Sequence, residues 1–409
     1  MQVYLVGGAV RDKLLGLDTH EHDWVVVGST PEHMLNLGYR QVGKEFPVFL
    51  HPKTHEEYAL ARTEKSTGPG YAGFHFDFNS KVSLEDDLKR RDLTINAIAE
   101  DADGNLIDPY NGVKDLREGK LRAVSPAFAE DPVRVLRAAK FAARFHLQGF
   151  HITHDTHELM QKMVKAGELD HLIPERVWQE TAGALATASP ERYFEVLRAC
   201  GALKIVFPEI DRLFGVPQPL KYHPEKDVGV HTMLALKQAA KLSPKPTIRF
   251  AALLHDLGKG TTAKELLPSH HGHEGRSAKL VLNLCDRLKV PNEFKKLAHL
   301  VAKYHGHFLR VADELSAKKI LEVLKAVDAF RKPARFYDFL MACEADLRGR
   351  PGFENNKFPQ AEFFQKALSQ AQSIQVKDII ARGFEGIEIK QELERLQTEA
   401  ISELTAHRS

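Results

Sequence analysis

At 409 residues the chain is long enough to bury more than one core and to divide into two to four domains. Its 57 basic and 55 acidic residues leave a formal charge of +2, which excludes a global basic field, so a nucleic-acid partner would have to be held by a local patch. Cys200, Cys285 and Cys343 are far apart with no CxxC pair, which argues against a cysteine metal site, and no apolar run approaches membrane-spanning length, so a soluble, unexported, cytoplasmic protein is expected.

The first element is an apolar run, Val3 to Val6, that reads as a buried strand. Gly7-Gly8 permits a close backbone approach, and Ala9 to Leu15 has helical spacing. A second strand follows at Trp24 to Val27, and Glu21 and Asp23, two residues apart where it begins, point to the same face. Two carboxylates beside a glycine turn that opens a helix suit magnesium and a triphosphate. Arg11 and the backbone amides would take phosphate oxygens, and the carboxylates would take the metal. The bland alternative is a plain turn followed by a solvated acidic loop.

A helix is expected from Pro31 to Leu37, and FPVFLHP and EEYALAR read as a hairpin joined by Lys53-Thr54-His55. Arg62 to Ser80 has three glycines and no apolar periodicity, so it reads as a long loop, either mobile beside the phosphate site or a surface excursion. Leu84 to Asp101 reads as a helix that offers Leu88, Leu93, Ile95 and Ile98 to a core. On it, Arg91 and Asp92 either form part of a solvated face or serve a nucleotide, the guanidinium on phosphate and the carboxylate on a ribose hydroxyl.

From Ser125 the pattern turns helical without obvious strands. Pro132 starts a helix whose Val135, Leu136, Ala139, Phe141 and Ala142 recur at helical spacing. Further helices are expected at Thr156 to Ala166, Pro174 to Ala186 and Pro190 to Cys200. Gly215 to Asp227, rich in proline and charge, reads as the main domain boundary. In FAALLHDLGKG, His255 and Asp256 interrupt an apolar helix, where an unpaired polar pair would be costly, so a divalent-metal site is expected there. The rest is a histidine-rich helical stretch to about residue 350 and an amphipathic tail.

Gly7-Gly8-Ala9-Val10-Arg11-Asp12, Glu21-x-Asp23, Arg90-Arg91-Asp92-x-Thr94-Ile95-Asn96-Ala97, Glu130-Asp131-x-x-Arg134 and Glu175-Arg176-x-x-x-Glu180 occur in that order. With them the chain closely resembles bacterial CCA-adding tRNA nucleotidyltransferases of the class that carries a C-terminal HD phosphohydrolase domain. The resemblance implies an α+β protein: a small polymerase β-like nucleotidyltransferase head with a mixed sheet over residues 1–125, an all-α neck and body over 126–220, an all-α HD domain over 228–350 and a helical tail over 351–409. It implies template-free addition of C, C and A to the 3′ end of tRNA from CTP and ATP, by a monomer or homodimer.

In the family's terms, Glu21 and Asp23 are the catalytic, magnesium-binding pair, with Glu21 a departure from the more usual Asp. Gly8, Arg11, Arg91, Asp92, Asp131, Arg134, Arg137 and Lys140 match nucleotide-binding positions. Lys140 stands where Arg is common, keeping the charge and losing the planar fork. Asp131 and Arg134, i and i+3, would share a helix face and read the base: the carboxylate accepts from the amino group of cytosine or adenine, and the guanidinium donates to the adjacent ring nitrogen. Uracil and guanine would leave both contacts unmade, at about 1–3 kcal/mol each. The plain alternative is an i, i+3 salt bridge. Glu175, Arg176 and Glu180 read as an ion-pair cluster that supports the neck.

The HD resemblance adds His231 and Asp346 to His255 and Asp256 as ligands of a divalent transition metal such as nickel. His271, His273 and His305 either extend that set, bind phosphate, or are ordinary satisfied histidines. Phosphatase, 2′-nucleotidase and 2′,3′-cyclic phosphodiesterase activities are implied. Two rivals are a poly(A) polymerase and a catalytically inactive RNA-binding head fused to an active HD domain.

Overall fold

The computed structural model describes residues 1–19, 22–42, 48–66, 74–77, 80–311 and 314–406. They form two compact units: Met1–Ala184 with Arg192–Val206, and Leu185–Glu191 with Phe207–Ser409. The proline-rich stretch Gly215–Asp227 therefore lies inside the second unit.

The first unit begins with β1 (Gln2–Val6), α1 (Gly8–Leu14), β2 (Asp23–Val27), α2 (Pro31–Asn36), β3 (Arg40–Val42), β4 (Val48–Leu50) and β5 (Glu57–Leu60). Next come β6 (Thr63–Ser66), β7 (Phe74–Asp77), α3 (Leu84–Lys89), β8 (Ala99–Glu100), β9 (Leu106–Ile107), α4 (Gly112–Arg117) and β10 (Lys120–Leu121). Seven of these strands make one mixed sheet in the order β3-β4-β5-β2-β1-β8-β9, with β2 and β5 parallel and β4-β5 the expected hairpin. Alternation along β2 sends Val25 into a core with Val6, Leu88 and Ala97, and Val26 into a second core with Met34, Phe49 and Tyr58. The apolar run is thus buried on both faces.

Three expectations need correction. Inside the stretch read as a loop, Thr63–Ser66 pairs antiparallel with Phe74–Asp77; residues 67–73 and 78–79 lie outside the described set. The helix expected over 84–101 stops at Lys89. Beyond it the Asp92 carboxylate takes the Leu93 amide at 2.8 Å and the Thr94 amide bonds Arg122 O at 2.8 Å, so side chain and neighbouring chain replace the helical ladder. Leu88, Leu93, Ile95 and Ile98 are nevertheless fully buried. Third, a short strand, β11 (His151–Ile152), pairs parallel with β10 within the region expected to be strand-free.

The helical remainder of this unit is α5 (Val133–Arg144), α6 (His154–Lys165), α7 (Pro174–Leu185), α8 (Glu191–Ala199) and α9 (Ala202–Val206), the last residue of α7 and the first of α8 belonging to the second unit. The apolar stripe read on α5 is its buried face.

The second unit is all-helical: α10 (Pro208–Asp211), α11 (Val228–Leu242), α12 (Pro246–Leu254), α13 (His273–Arg287), α14 (Asn292–Arg310), α15 (Ala317–Ala326), α16 (Pro333–Arg348), α17 (Gln360–Ser373), α18 (Val376–Ala381) and α19 (Ile387–Ala406). Helices α11, α12, α14 and α16 pack on one another, and α15, α17 and α19 form a second layer. No described helix is long and apolar enough to cross a membrane.

Candidate functional site

In the first unit, Asp23 opens β2 opposite Val6, where β1 runs into Gly7 and Gly8. Its parallel neighbour is Glu57 on β5, and alternation puts both on the face of Val25. Glu21 lies outside the described residues. Gly8 is the first residue of α1. The preceding Gly7 has φ +70°, a conformation that favours glycine, and lies close against the Arg91 guanidinium. Arg91 Nη2 donates to Asp87 Oδ2 at 3.1 Å, while its Nε is buried without a hydrogen-bond partner among the described residues.

Arg11 is buried. Its Nε donates to Asp12 Oδ1 (2.8 Å) and its Nη1 to Asn96 Oδ1 (2.5 Å), and the guanidinium lies 5.1 and 5.3 Å from the ring centroids of Phe141 and Phe145. Asp92 has partners on both oxygens: Oδ1 accepts from Leu93 N (2.8 Å) and Asn96 Nδ2 (2.9 Å), and Oδ2 from Arg137 Nε (2.7 Å). Burial alone would raise the Asp92 carboxyl, but the Arg137 charge and these hydrogen bonds outweigh it and hold the group below its ordinary value.

Of the two residues expected to read the base, Asp131 is held from α7. Asp131 is not on a helix. It has extended backbone just before α5, and its Oδ1 caps the helix start through Val133 N at 3.0 Å. Asp131 and Arg134 therefore do not share one helix face. Arg176 grips the Asp131 carboxylate with both terminal nitrogens, at 2.7 and 3.2 Å. Arg134 is buried and donates to Ala127 O at 2.7 Å. Lys140 Nζ lies 2.6 Å from Glu180 Oε2, and Arg137 Nη1 lies 3.9 Å from Glu180 Oε1. Arg176 and Glu180 thus reach residues at and before α5.

Among the described residues, all three side-chain groups with metal-ligand spacing lie in the second unit. One is His231, His255 and Asp346; another is Asp256, His273 and His305; the third is His223, Glu225 and His231. His231 Nε2 is 2.9 Å from Asp346 Oδ1, and His255 Nε2 is 3.1 Å from Asp256 Oδ2 and 3.7 Å from Asp346 Oδ1. His273 and His305 both face Asp256 Oδ1, at 3.2 and 3.4 Å. The turn after Asp256 makes this convergence achievable, because a Cβ on Gly258 would fall 2.2 Å from His273 O.

The donor chemistry fits a divalent ion. The ring nitrogen Nδ1 of His255, His273 and His305 bonds a backbone carbonyl (Ala252, His270 and Val301, at 2.7, 2.8 and 3.1 Å). Each ring therefore turns an Nε2 lone pair toward a carboxylate, and His255 Nε2 and Asp256 Oδ1 are buried without a hydrogen-bond partner among the described residues. Burial opposes ionisation of Asp256 and Asp346. The positive charges of Lys259 beside Asp256 and of Arg350 beside Asp346, with hydrogen bonding, outweigh it and keep both carboxyls well below their ordinary range. Lone pairs and ionised carboxylates converging in a buried site are what a cation satisfies. Of the histidines left open by the sequence, His273 and His305 join the cluster, whereas exposed His271 lends its backbone carbonyl to Arg276.

Sequence reading missed Lys259, Glu225 and His223. Lys259 Nζ is 2.7 Å from Asp256 Oδ2 and donates to Gln218 Oε1 at 3.1 Å. Its signal was its position three residues after Asp256. His223 and Glu225 flank Pro224 in the stretch read as a boundary, and their polarity passed for that of a linker.

The chain is 59% identical over 406 residues to the Multifunctional CCA protein of Thioalkalivibrio sulfidiphilus (strain HL-EbGR7), covering 99% of both chains. The chain belongs to the multifunctional CCA protein family. Family models agree segment by segment: the poly A polymerase head domain at residues 3–122, the probable RNA and SrmB-binding site of polymerase A at 149–214, and the HD domain at 228–330. The same fold occurs in solved structures at low identity. A CCA-adding enzyme in complex with ATP matches at 20% identity and TM-score 0.66, over 98% of this chain and 86% of that one. The Thermotoga maritima CCA-adding enzyme complexed with tRNA(CCA) matches at 20% and 0.64, over 99% and 91%.

Proposed function

We propose that this chain completes and repairs the 3′-terminal CCA of tRNA from CTP and ATP, and that its HD domain hydrolyses phosphoesters. The full-length identity to a multifunctional CCA protein carries the reading, and the fixed Asp131 and Arg134 supply the physical argument for base choice. Asp131, held in place by Arg176, accepts from the exocyclic amino group of cytosine or adenine, and Arg134 donates to the ring nitrogen beside it. A base that offers a carbonyl and a ring N–H at those places leaves both groups unpaired. Arg11, Arg91, Arg137 and Lys140 supply positive charge for the triphosphate, with Gly8 leaving room for its approach.

Glu21 and Asp23 would hold magnesium, whose charge activates the tRNA 3′ hydroxyl and neutralises the departing pyrophosphate. Glu57, beside Asp23 in the sheet, adds a third carboxylate. In the HD domain, His231, His255, Asp256 and Asp346 would hold a transition metal such as nickel, which supplies an activated water for attack on phosphorus. His273 and His305 share Asp256 and extend that set. Lys259 is placed to meet substrate phosphate. Phosphomonoesters, 2′-nucleotides and 2′,3′-cyclic phosphates are the expected substrates, chemistry suited to clearing damaged tRNA ends in the cytoplasm before rebuilding.

The test is extension of tRNA lacking its CCA end. With CTP alone the product should grow by two residues, ATP should then add one, and growth should stop. A long A tract would mark a poly(A) polymerase, and no extension would mark an inactive head.

A further inference from the structure

Three of the four site histidines in the HD domain bond a backbone carbonyl through Nδ1; His231 does not. It lies in the first turn of α11, and its Nδ1 instead lies 2.9 Å from Glu225 Oε1, within donating distance though off the line of an ideal bond. On the other side of the ring, Nε2 faces Asp346. The Glu225 side chain is almost wholly buried, and it is built in from the preceding strap. Gln218 Nε2 and His223 Nδ1 donate to the same Oε1 at 3.0 and 2.9 Å. Gln218 in turn accepts from Lys259, which contacts Asp256. His270 Nε2 closes the strap down by bonding Pro217 O at 3.0 Å.

We infer that Glu225 is a positioning residue for the HD metal site: it holds the His231 proton on Nδ1 and leaves Nε2 as the ligand atom. A carboxylate on the far nitrogen of a ligating imidazole fixes its tautomer and orientation and makes it a stronger donor than a carbonyl does. Gln218 and His223 already occupy Oε1 as hydrogen-bond partners, which fixes the carboxylate beside His231 Nδ1. The Gly215–Asp227 strap reaches the metal site through Glu225. This inference rests on the proposal that the HD domain binds a divalent metal.

The experiment uses the full chain and Ni2+ or Zn2+ alone. Competition titrations against a chelator on wild type, Glu225→Ala, Glu225→Gln and His223→Gln give metal affinity, and the metal-free melting curve of each variant reports that the second unit is folded. Glu225→Ala should bind metal about 10- to 100-fold more weakly. Glu225→Gln, which keeps an acceptor without its charge, should fall between it and wild type, and His223→Gln should stay within about 3-fold of wild type, which separates the carboxylate's effect from loosening of the strap. In 15N-histidine spectra of the zinc-loaded chain, the signal lost on His231→Gln should be an Nδ1–H tautomer, and in Glu225→Ala it should lose its protection from exchange.

Equal affinity in wild type and Glu225→Ala overturns the inference, as does an equal loss in His223→Gln, or a metal count that falls by one whole ion in Glu225→Ala. A wild-type chain that binds neither metal overturns the metal-site reading itself, and the inference with it.

Discussion

Replacing Arg176 by Ala isolates the claim that a fixed carboxylate selects the base. Arg176 is not one of the residues expected to meet the triphosphate; its role in the proposal is to hold both oxygens of Asp131. The pair is bidentate, which strengthens it, but the side chains keep 28% and 16% of their exposure, so solvent screens part of the gain. Allowing for that, about 1–2 kcal/mol of orientation is lost, equivalent to roughly 5- to 30-fold in rate. The loss should fall on nucleotides that donate to Asp131. In single-turnover extension of tRNA lacking its end, kcat/KM for CTP should drop by that factor while the low rate with UTP changes little, so the CTP/UTP ratio narrows by the same amount. Arg176→Lys keeps the charge and loses the fork, and should lie between. A ratio unchanged in Arg176→Ala, or an equal fall for both nucleotides, would refute base selection through Asp131.

Asp92→Ala should destabilise the first unit by about 2–4 kcal/mol, because it strips Arg137 and Asn96 of a buried acceptor; Arg137 retains 38% exposure and a second carboxylate, which keeps the cost below that of a wholly buried pair. In a unit of this size that is a melting shift of roughly 4–16 °C. The same carboxyl sets a pH dependence. Its folded value lies below the ordinary 3.8, so its stabilisation is complete above about pH 4 and is lost as pH falls toward the folded value. The melting gap between wild type and Asp92→Ala should narrow below about pH 4, and a gap that widens there would show the sign to be wrong. Removing metal by chelation should lower the melting temperature of the second unit. Nickel restored at about 100 times its dissociation constant should return about 2.7 kcal/mol, and a melting curve indifferent to nickel would contradict binding to the folded domain.

How much could be read in advance follows from how local each cause was. His255-Asp256 was legible because a buried polar pair in an apolar run is costly unless something satisfies it, although the pair follows the end of α12 at Leu254 and does not interrupt the helix. The β1 strand, its glycine turn and the β4-β5 hairpin were legible from short-range patterning. The helix after Leu84 was overextended because what stops it, the Asp92 carboxylate and the Arg122 carbonyl, acts through bonds that spacing does not display. Asp131 was placed on a helix for a similar reason: it caps α5 instead of joining it. The pairing of Thr63–Ser66 with Phe74–Asp77 was hidden by glycines that suggested irregular chain. Glu225 and His223 were overlooked because a proline-rich, charged stretch looks alike whether it faces water or a buried histidine.

That one chain carries two separable chemistries is tested most directly by measuring both activities in two variants side by side. Asp23→Ala should abolish nucleotide addition to tRNA and leave hydrolysis of a 2′,3′-cyclic nucleotide intact. The double variant His255→Ala with Asp256→Ala should do the reverse. Loss of both activities in either folded variant, or full nucleotide addition by Asp23→Ala, would contradict the separation.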